Sequence, residues 1–166
     1  MTKLQEQILK TIKNNSRIDL HDLASMLNVS DVELANEINL LEKNKIICGY
    51  QTLINYDNTD EEIVTALIEV KVIPQRDLGY DKIAERIYNF NEVDSIYLMS
   101  GAYDFMVLIE GKSMKEVSRF VFDKLATLDS VSSTATHFVL KKYKDHGTIF
   151  KEKKNSDNRE AIFIWY

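Results

Sequence analysis

The side chains best suited to catalysis or metal binding in this sequence are one cysteine and three histidines. Cys48 has no second cysteine with which to form an internal disulfide. His21, His137 and His146 are far apart in the chain, and with Cys48 they give none of the spacings that structural zinc sites use. The sequence therefore predicts no metal site, no cofactor and no catalytic constellation among these residues.

A short stretch places a glycine three residues before a carboxylate, in the order Ser100, Gly101, Ala102, Tyr103, Asp104. Glycine lets a backbone approach a ligand closely, so that its amides can meet a carboxylate, and an aspartate can meet an ammonium group. The same residues suit a tight hairpin turn in which Asp104 bonds its own backbone. The pattern alone leaves both interpretations open.

Composition and charge narrow the class of protein. The 166 residues are 45% hydrophobic and 28% charged, with 5 Gly and 1 Pro, which is typical of a folded chain of one or two domains. No run approaches the ~18 apolar residues of a membrane span, and the first residues do not resemble a signal peptide, so we expect a cytoplasmic protein with no membrane partner. The net charge of −5 divides into −1 for residues 1–50, −7 for residues 51–140 and +3 for residues 141–166.

Helical spacing of apolar residues predicts three short helices within the first 45 residues. Thr2 and Gln5 form a capping box for the first helix, and the second follows Asp19 and ends at Asn28. Helices two and three, joined by a three-residue turn, are typical of a helix-turn-helix.

Ser30 begins the third helix, in a capping box with Glu33. We expect its buried side to consist of Val32 or Leu34, Ala35, Ile38 and Leu41. The β-prone residues 46–47 and 50–54 that follow predict the two strands of a wing.

From residue 63 the apolar period becomes that of a β-strand. The predicted elements are a strand up to Pro74, a helix over residues 81–89, strands over residues 95–99 and 105–109, a helix opening at Ser113, and a strand over residues 134–143. The order βαββαβ predicts a ferredoxin-like antiparallel sheet with two helices on one face. Several residues on both faces of these strands are apolar, so a sheet-to-sheet dimer would bury them: Leu67, Leu98, Val107, Ile109, Phe138 and Leu140.

The fold class is therefore α+β, with an N-terminal winged helix-turn-helix followed by a βαββαβ domain. The predicted divisions are residues 1–54 for the winged helix-turn-helix, 55–62 for an acidic linker, 63–146 for the βαββαβ domain and 147–166 for a tail. Residues 161–166 of the tail are strongly apolar and β-prone, and we expect them to add a strand to a sheet edge.

Three stretches carry a resemblance to a known family. They are Leu41-Glu42 leading to Ile46-Ile47-Cys48-Gly49-Tyr50, the run Ser100-Gly101-Ala102-Tyr103-Asp104-Phe105, and Leu128-Asp129-Ser130-Val131 entering Thr134-Ala135-Thr136. With the order and size of the predicted parts, they make residues 1–146 resemble the Lrp/AsnC (feast/famine) transcription regulators, whose C-terminal domain is of the RAM type. The resemblance implies a homodimer, or a higher even oligomer such as an octamer, that binds double-stranded DNA and a small effector. The effector that it implies is an amino acid.

The resemblance also assigns sites residue by residue. It implies an effector pocket lined by Ser100, Gly101, Ala102, Tyr103, Asp104, Thr134 and Thr136. It places the DNA-contacting residues at the start of the third helix and along it: Ser30, Asp31, Glu33, Asn36, Glu37, Asn39, Leu40 and Lys43. Within that set Asn36 is suited to read adenine and Glu37 to accept from cytosine.

The chain departs from the family in the charge of this helix. The family typically has several arginines there, whereas residues 30–45 carry a net charge of −2, which opposes the approach to phosphates that provides most nonspecific affinity. This departure favours an alternative, an effector-binding or hetero-oligomerising subunit that has lost DNA binding. An enzymatic alternative is a sirohaem-type tetrapyrrole decarboxylase, for which His137 would have to converge with Lys141 or Arg119.

A smaller departure lies at the end of the third helix. Lys45 stands where the family commonly has glycine, and we expect the preceding Asn44 to take the left-handed conformation instead.

Overall fold

A computed structural model describes residues 1–73 and 79–151, which form two compact units divided between Leu53 and Ile54. The first unit contains three helices, α1 (Lys3–Ile12), α2 (Leu20–Leu27) and α3 (Asp31–Lys43). Its core consists of Ile8, Leu23, Ala24, Leu34, Leu41 and Ile47. This arrangement confirms the predicted helix-turn-helix.

Local hydrogen bonds explain where these helices begin and end. Thr2 and Gln5 form a reciprocal capping box at α1, and the Asp19 carboxylate accepts from the first amides of α2. Asn28 ends α2 in the left-handed conformation, with φ 60°. The Ser30 hydroxyl accepts from the backbone N–H of Glu33 at the start of α3. These caps satisfy amides and carbonyls that a helix leaves unpaired at its ends. The Thr2 box and the end of α2 at Asn28 were expected from sequence, whereas Ser30 forms only its half of the predicted box with Glu33.

The predicted strands of the wing are absent. Residues 44–63, all of which the structure describes, contain a short 3₁₀ turn (Tyr56–Asn58) but no strand. The amides of Ile46 and Ile47 instead donate to the carbonyl of Leu41 at 2.9 and 3.2 Å, which turns the chain back onto the end of α3 and buries Ile47 in the core. An isolated two-stranded ribbon is marginally stable, so β-propensity alone does not form it here.

The end of α3 also differs from the expectation. Asn44 is right-handed, with φ −81°, and Lys45 takes the left-handed position, with φ 58°. The amides of Lys45 and Ile46 donate to the carbonyls of Glu42 and Leu41, which is the hydrogen-bond pattern of a Schellman cap. A lysine therefore occupies the position at which glycine has the least steric cost.

We expect Lys45→Gly to raise the free energy of unfolding by about 0.5–1 kcal/mol, because it relieves a left-handed backbone that a β-carbon disfavours. Urea unfolding followed by circular dichroism measures the change. Lys13→Gly is the matched control, since Lys13 ends α1 with φ −56°; there glycine should lower stability. A Lys45→Gly variant less stable than the wild type would contradict the expectation.

The second unit is a four-stranded antiparallel sheet in the order β2-β3-β1-β4, with two helices on one face. Its elements are β1 (Val64–Val72), α4 (Tyr80–Tyr88), β2 (Val93–Leu98), β3 (Phe105–Gly111), α5 (Met114–Phe120), which runs into a π-helical turn (Val121–Leu125), and β4 (Val131–Phe138). The βαββαβ prediction is confirmed. A small hairpin, β5 (Lys144–Asp145) with β6 (Thr148–Ile149), was not predicted.

The last strand of the sheet is shifted relative to the prediction. It begins at Val131, where an irregularity between Lys71 and Val72 lets Val131 pair with Val72. It ends at Phe138, and the Val139 amide adds one further hydrogen bond, to the Thr65 carbonyl at 2.9 Å. Because β1 begins at Val64, it has no residues to pair with positions 141–143. The predicted extension to residue 143 therefore does not form.

Strand register sorts the apolar residues onto the two faces of the sheet. Val107 and Ile109 face the helices, with Ala66, Ile68 and Val70 in one core. The opposite face carries Leu67, Tyr97, Met106 and Leu108 beside polar residues, and neither α4 nor α5 packs on it. Leu140 lies beyond the sheet and is 90% exposed. The predicted strand at residues 161–166 lies outside the described residues.

Candidate functional site

One side of α3 is held in the helical core and the other is exposed. Leu34 and Leu41 are fully buried, whereas Val32, one of the two residues expected on the buried side, is 71% exposed. Five of the seven exposed residues of α3 recur at helical spacing and form what we call the α3 stripe: Val32, Asn36, Asn39, Leu40 and Lys43. The other two, Asp31 and Glu33, lie in the first turn. Lys43 carries the stripe's one charge. All four acidic residues that give residues 30–45 a net charge of −2 lie outside the stripe.

Three of the four acidic residues of this segment are engaged by neighbouring side chains. The Glu37 carboxylate accepts from Gln5 Nε2 at 2.8 Å, which ties α3 to α1. The Glu42 carboxylate accepts from the Tyr50 hydroxyl at 2.9 Å. Asp31 lies 3.1 Å from His21 Nδ1. Glu37, expected to read a base, is half-buried and serves as a link between helices.

The pair of His21 and Asp31 joins the start of α2 to the start of α3. Both oxygens of Asp31 lie within 3.2 Å of His21 Nδ1. The hydrogen bond that His21 donates to Asp31, and then the charge of Asp31, raises the pKa of His21, and the charges of Asp19 and Asp22 act in the same direction. A protonated His21 therefore offsets negative charge at this end of α3.

This pair predicts a pH dependence of stability. Because the pKa of His21 is higher in the folded state, its contribution is fully present below the ordinary value of about 6.5 and is lost as the pH rises through the raised pKa. We expect the melting temperature of the wild type to exceed that of His21→Ala below that pH, and the difference to shrink toward zero well above it. A difference that grew with pH would contradict the assignment.

The connection between β2 and β3 is held at its two ends and open between them. The Met99 amide donates to the Asp104 carbonyl at 2.8 Å, and the Asp104 amide donates to the Val70 carbonyl at 3.0 Å. Between these two bonds, the amides of residues 100–103 find no acceptor within the described chain. A β-carbon added to Gly101 would meet nothing within 4 Å. The backbone amides of residues 100–103 are therefore available to an acceptor from outside the described chain.

The Asp104 side chain bonds outside its own turn. Oδ2 accepts from the Val72 amide at 2.8 Å, and Oδ1 accepts from the Tyr80 hydroxyl at 3.3 Å. The charge of Asp104, followed by burial, raises the pKa of Tyr80. Sequence reasoning missed Tyr80, because nothing in the chain marks a residue 24 positions away as a partner of Asp104.

The two threonines expected beside this loop are on another strand. Thr134 pairs with Val70 and Thr136 with Ile68 on β4, whereas Phe105, directly after the loop, pairs with Val70 from β3. Strand β1 therefore lies between the loop and the threonines, a separation of two strand spacings, or about 10 Å. Within one chain these two parts of the expected pocket do not meet.

His137 and Arg119, two residues of the enzymatic alternative, do not converge. His137 pairs with Leu67 on the face of the sheet away from the helices, where its Nε2 lies 3.3 Å from Glu69. Arg119 is on α5, which packs on the other face. The sheet separates the two side chains.

A family model decides the relationship of this chain to known proteins. Residues 65–149 match the Lrp/AsnC ligand binding domain. The chain belongs to the Lrp/AsnC family. This match contains the 99–104 loop and both threonines, whereas α3 precedes it.

Relatives of this Lrp/AsnC protein extend the similarity to α3. The HTH-type transcriptional regulator YugG of Bacillus subtilis is 50% identical over 163 residues, which cover 98% of each chain. An HTH-type transcriptional regulator of Pyrococcus furiosus is 30% identical over 136 residues, covering 82% of this chain and 89% of its own. This Lrp/AsnC chain is therefore a transcriptional regulator of the HTH type.

Solved structures agree on the fold. A transcriptional regulator from Neisseria meningitidis in complex with L-Met has a TM-score of 0.68 at 24% identity, covering 87% of this chain and 93% of that one. E. coli AsnC has a TM-score of 0.63 at 22% identity, covering 86% and 93%. In the described part of this Lrp/AsnC chain, no helix is both long and apolar enough to cross a bilayer.

Proposed function

We propose that this regulator contacts double-stranded DNA through the α3 stripe. The observation that carries the proposal is the exposure, at helical spacing, of five α3 residues with no acidic side chain among them: Val32, Asn36, Asn39, Leu40 and Lys43. Asparagine amides suit adenine, and apolar side chains suit the thymine methyl group. Asn36, Asn39 and Leu40 thus contribute base contacts, and Lys43 contributes a phosphate contact.

The residues expected to contact DNA have two different roles in this proposal: some hold α3 in place, and the others face the DNA. Ser30 holds the first turn through its hydroxyl, and Asp31 and Glu37 hold α3 against its neighbours. Glu33, exposed at the start of the helix, opposes phosphate approach, as do Glu37 and Glu42, which keep their charge beside neutral partners. Affinity for DNA therefore depends on few phosphate contacts and is modest at physiological salt.

The effector in this proposal is an amino acid bound at the 99–104 loop. Its carboxylate meets the free amides of residues 100–103, and its ammonium group meets Asp104. Because β1 separates the loop from Thr134 and Thr136, one chain supplies only part of the pocket and a second subunit completes it. The assembly is a homodimer, or a higher even oligomer such as an octamer, joined through the sheet face that α4 and α5 leave uncovered.

The proposal also assigns a role to each part of the chain and a cellular location to the protein. Residues 1–54 read DNA, residues 55–62 connect, and residues 63–146 bind the effector and dimerise, with residues 147–166 as a tail. The regulator acts in the cytoplasm and is not an enzyme. The separation of His137 from Arg119 by the sheet supports the last point.

A thermal-shift screen with the twenty proteinogenic amino acids tests the effector site. A ligand that binds only the folded chain raises the melting temperature as its concentration increases. At a concentration of one hundred times Kd, the free energy of unfolding rises by about 2.7 kcal/mol. We expect one amino acid or a small group of similar ones to do so. A flat response to all twenty contradicts an amino-acid effector.

A further inference from the structure

The Tyr80 hydroxyl is a polar group at the 99–104 loop that neither the sequence patterns nor the family match assigns. It donates to Asp104 Oδ1 at 3.3 Å, while the Val72 amide donates to Oδ2 at 2.8 Å. The carboxylate is thus held from two sides, by the first residue of α4 and by the end of β1.

A buried ring fixes the position of this hydroxyl. The Tyr80 ring packs edge-on against Phe105, with centroids 5.9 Å apart and planes at 67°. Phe105 is 1% exposed and directly follows Asp104 in the chain. The phenol is therefore aligned by the core of the sheet, while Tyr80 itself remains 38% exposed. The raised pKa of Tyr80 keeps it protonated, as a donor to the carboxylate requires.

The two hydrogen bonds leave the Asp104 carboxylate able to accept further hydrogen bonds. A carboxylate offers about four lone-pair positions, and here the described chain fills one on each oxygen. We infer that Tyr80 is a positioning residue for the effector, which holds Asp104 in the orientation that receives the α-ammonium group of an amino acid. This inference rests on the proposed effector site and adds a specificity to it: Tyr80 acts on ligands that carry the ammonium group.

The test compares Tyr80→Phe with the wild type by titration calorimetry on the full-length protein. Phenylalanine keeps the ring against Phe105 and removes only the hydroxyl. Tyr88→Phe is the matched control, because Tyr88 lies on the same helix, is 53% exposed and makes no hydrogen bond through its hydroxyl within the described chain. The probes are the twenty proteinogenic amino acids and, for each one that binds, the same molecule without its amino group.

We expect Tyr80→Phe to weaken binding of the amino acid about tenfold, the size of one hydrogen bond to a charged group. The affinity of the deaminated acid should be unchanged within about twofold, and Tyr88→Phe should match the wild type with both probes. If the deaminated acid does not bind the wild type at all, binding requires the ammonium group. The loss of amino-acid affinity in Tyr80→Phe then supports the inference by itself.

Three results would count against the inference. Unchanged amino-acid affinity in Tyr80→Phe overturns it while leaving the effector site intact. An equal loss for the amino acid and the deaminated acid also overturns it, because that pattern indicates a general loosening of the loop. Failure of all twenty amino acids to bind the wild type overturns the proposed effector and this inference together.

Discussion

Asp104→Ala is expected to lower both the stability of the C-terminal unit and its affinity for the effector. The substitution leaves the Val72 amide without its acceptor at 2.8 Å, which costs about 1–3 kcal/mol in a half-buried position. It also removes the charge that receives the ammonium group, so the affinity for the amino acid should fall more than about tenfold. Urea unfolding and calorimetry with the strongest amino acid from the thermal-shift screen measure the two effects.

Asp129→Ala is the control for this substitution. Asp129 is exposed and forms no hydrogen bond or ion pair through its carboxylate within the described chain. It should therefore leave stability and effector affinity close to those of the wild type. Asp104→Ala with wild-type stability and affinity would show that the carboxylate neither holds the loop nor binds the effector.

Asn36→Ala is expected to reduce binding to a specific operator by about 1–3 kcal/mol, the value of one bidentate contact between asparagine and adenine. In fold terms this is a loss between about fivefold and a hundredfold or more. The loss should be concentrated at a single base pair, so that the variant no longer distinguishes A·T from G·C there. Fluorescence anisotropy with a set of duplexes carrying single substitutions measures both quantities.

Lys43→Ala and Asn91→Ala are the comparison variants for Asn36→Ala. Lys43→Ala should weaken binding to every duplex by a similar factor and reduce the salt slope by about one, as loss of a phosphate contact requires. Asn91 is an exposed asparagine in the C-terminal unit, and its replacement should change nothing. Equal affinity of the wild type and Asn36→Ala for all duplexes would exclude Asn36 from base contacts.

Sequence predicts the parts of this fold that depend on local hydrogen bonds and periodicity. The caps at Thr2, Asp19 and Ser30 form between residues three or fewer positions apart, so their partners are visible in the chain itself. The strands follow from alternation because one face of each is buried. These features place the helix-turn-helix and the βαββαβ unit.

The parts that sequence did not predict depend on partners far away in the chain. Glu37 meets Gln5 across 32 positions, and Tyr80 meets Asp104 across 24. A glutamate or a tyrosine in the sequence does not indicate which residue it will bond to. The orientation of an acidic side chain on a helix depends on which hydrogen-bond donors lie beside it in the folded chain. The predicted wing was wrong because β-propensity at residues 46–54 does not overcome the turn that follows α3.

The exposed surface of α3 is the point at which structure changes the interpretation most. Counting charges over residues 30–45 gives −2 and favours a subunit that has lost DNA binding. Three of its acidic residues instead bond to His21, Gln5 and Tyr50. Gln5 and Tyr50 are neutral, so Glu37 and Glu42 keep their charge and oppose DNA together with Glu33. What supports DNA binding is the polar and apolar surface of the stripe.

Anisotropy titration of the full-length protein against the duplex upstream of its own coding sequence, at about 50 mM salt, tests the central claim most directly. We predict saturable binding that weakens with added salt by a small slope, and a change in that binding when the amino acid selected by the thermal-shift screen is added. Absence of binding at this salt concentration, where electrostatic attraction is strongest, would contradict the account and leave an effector-binding subunit without DNA affinity.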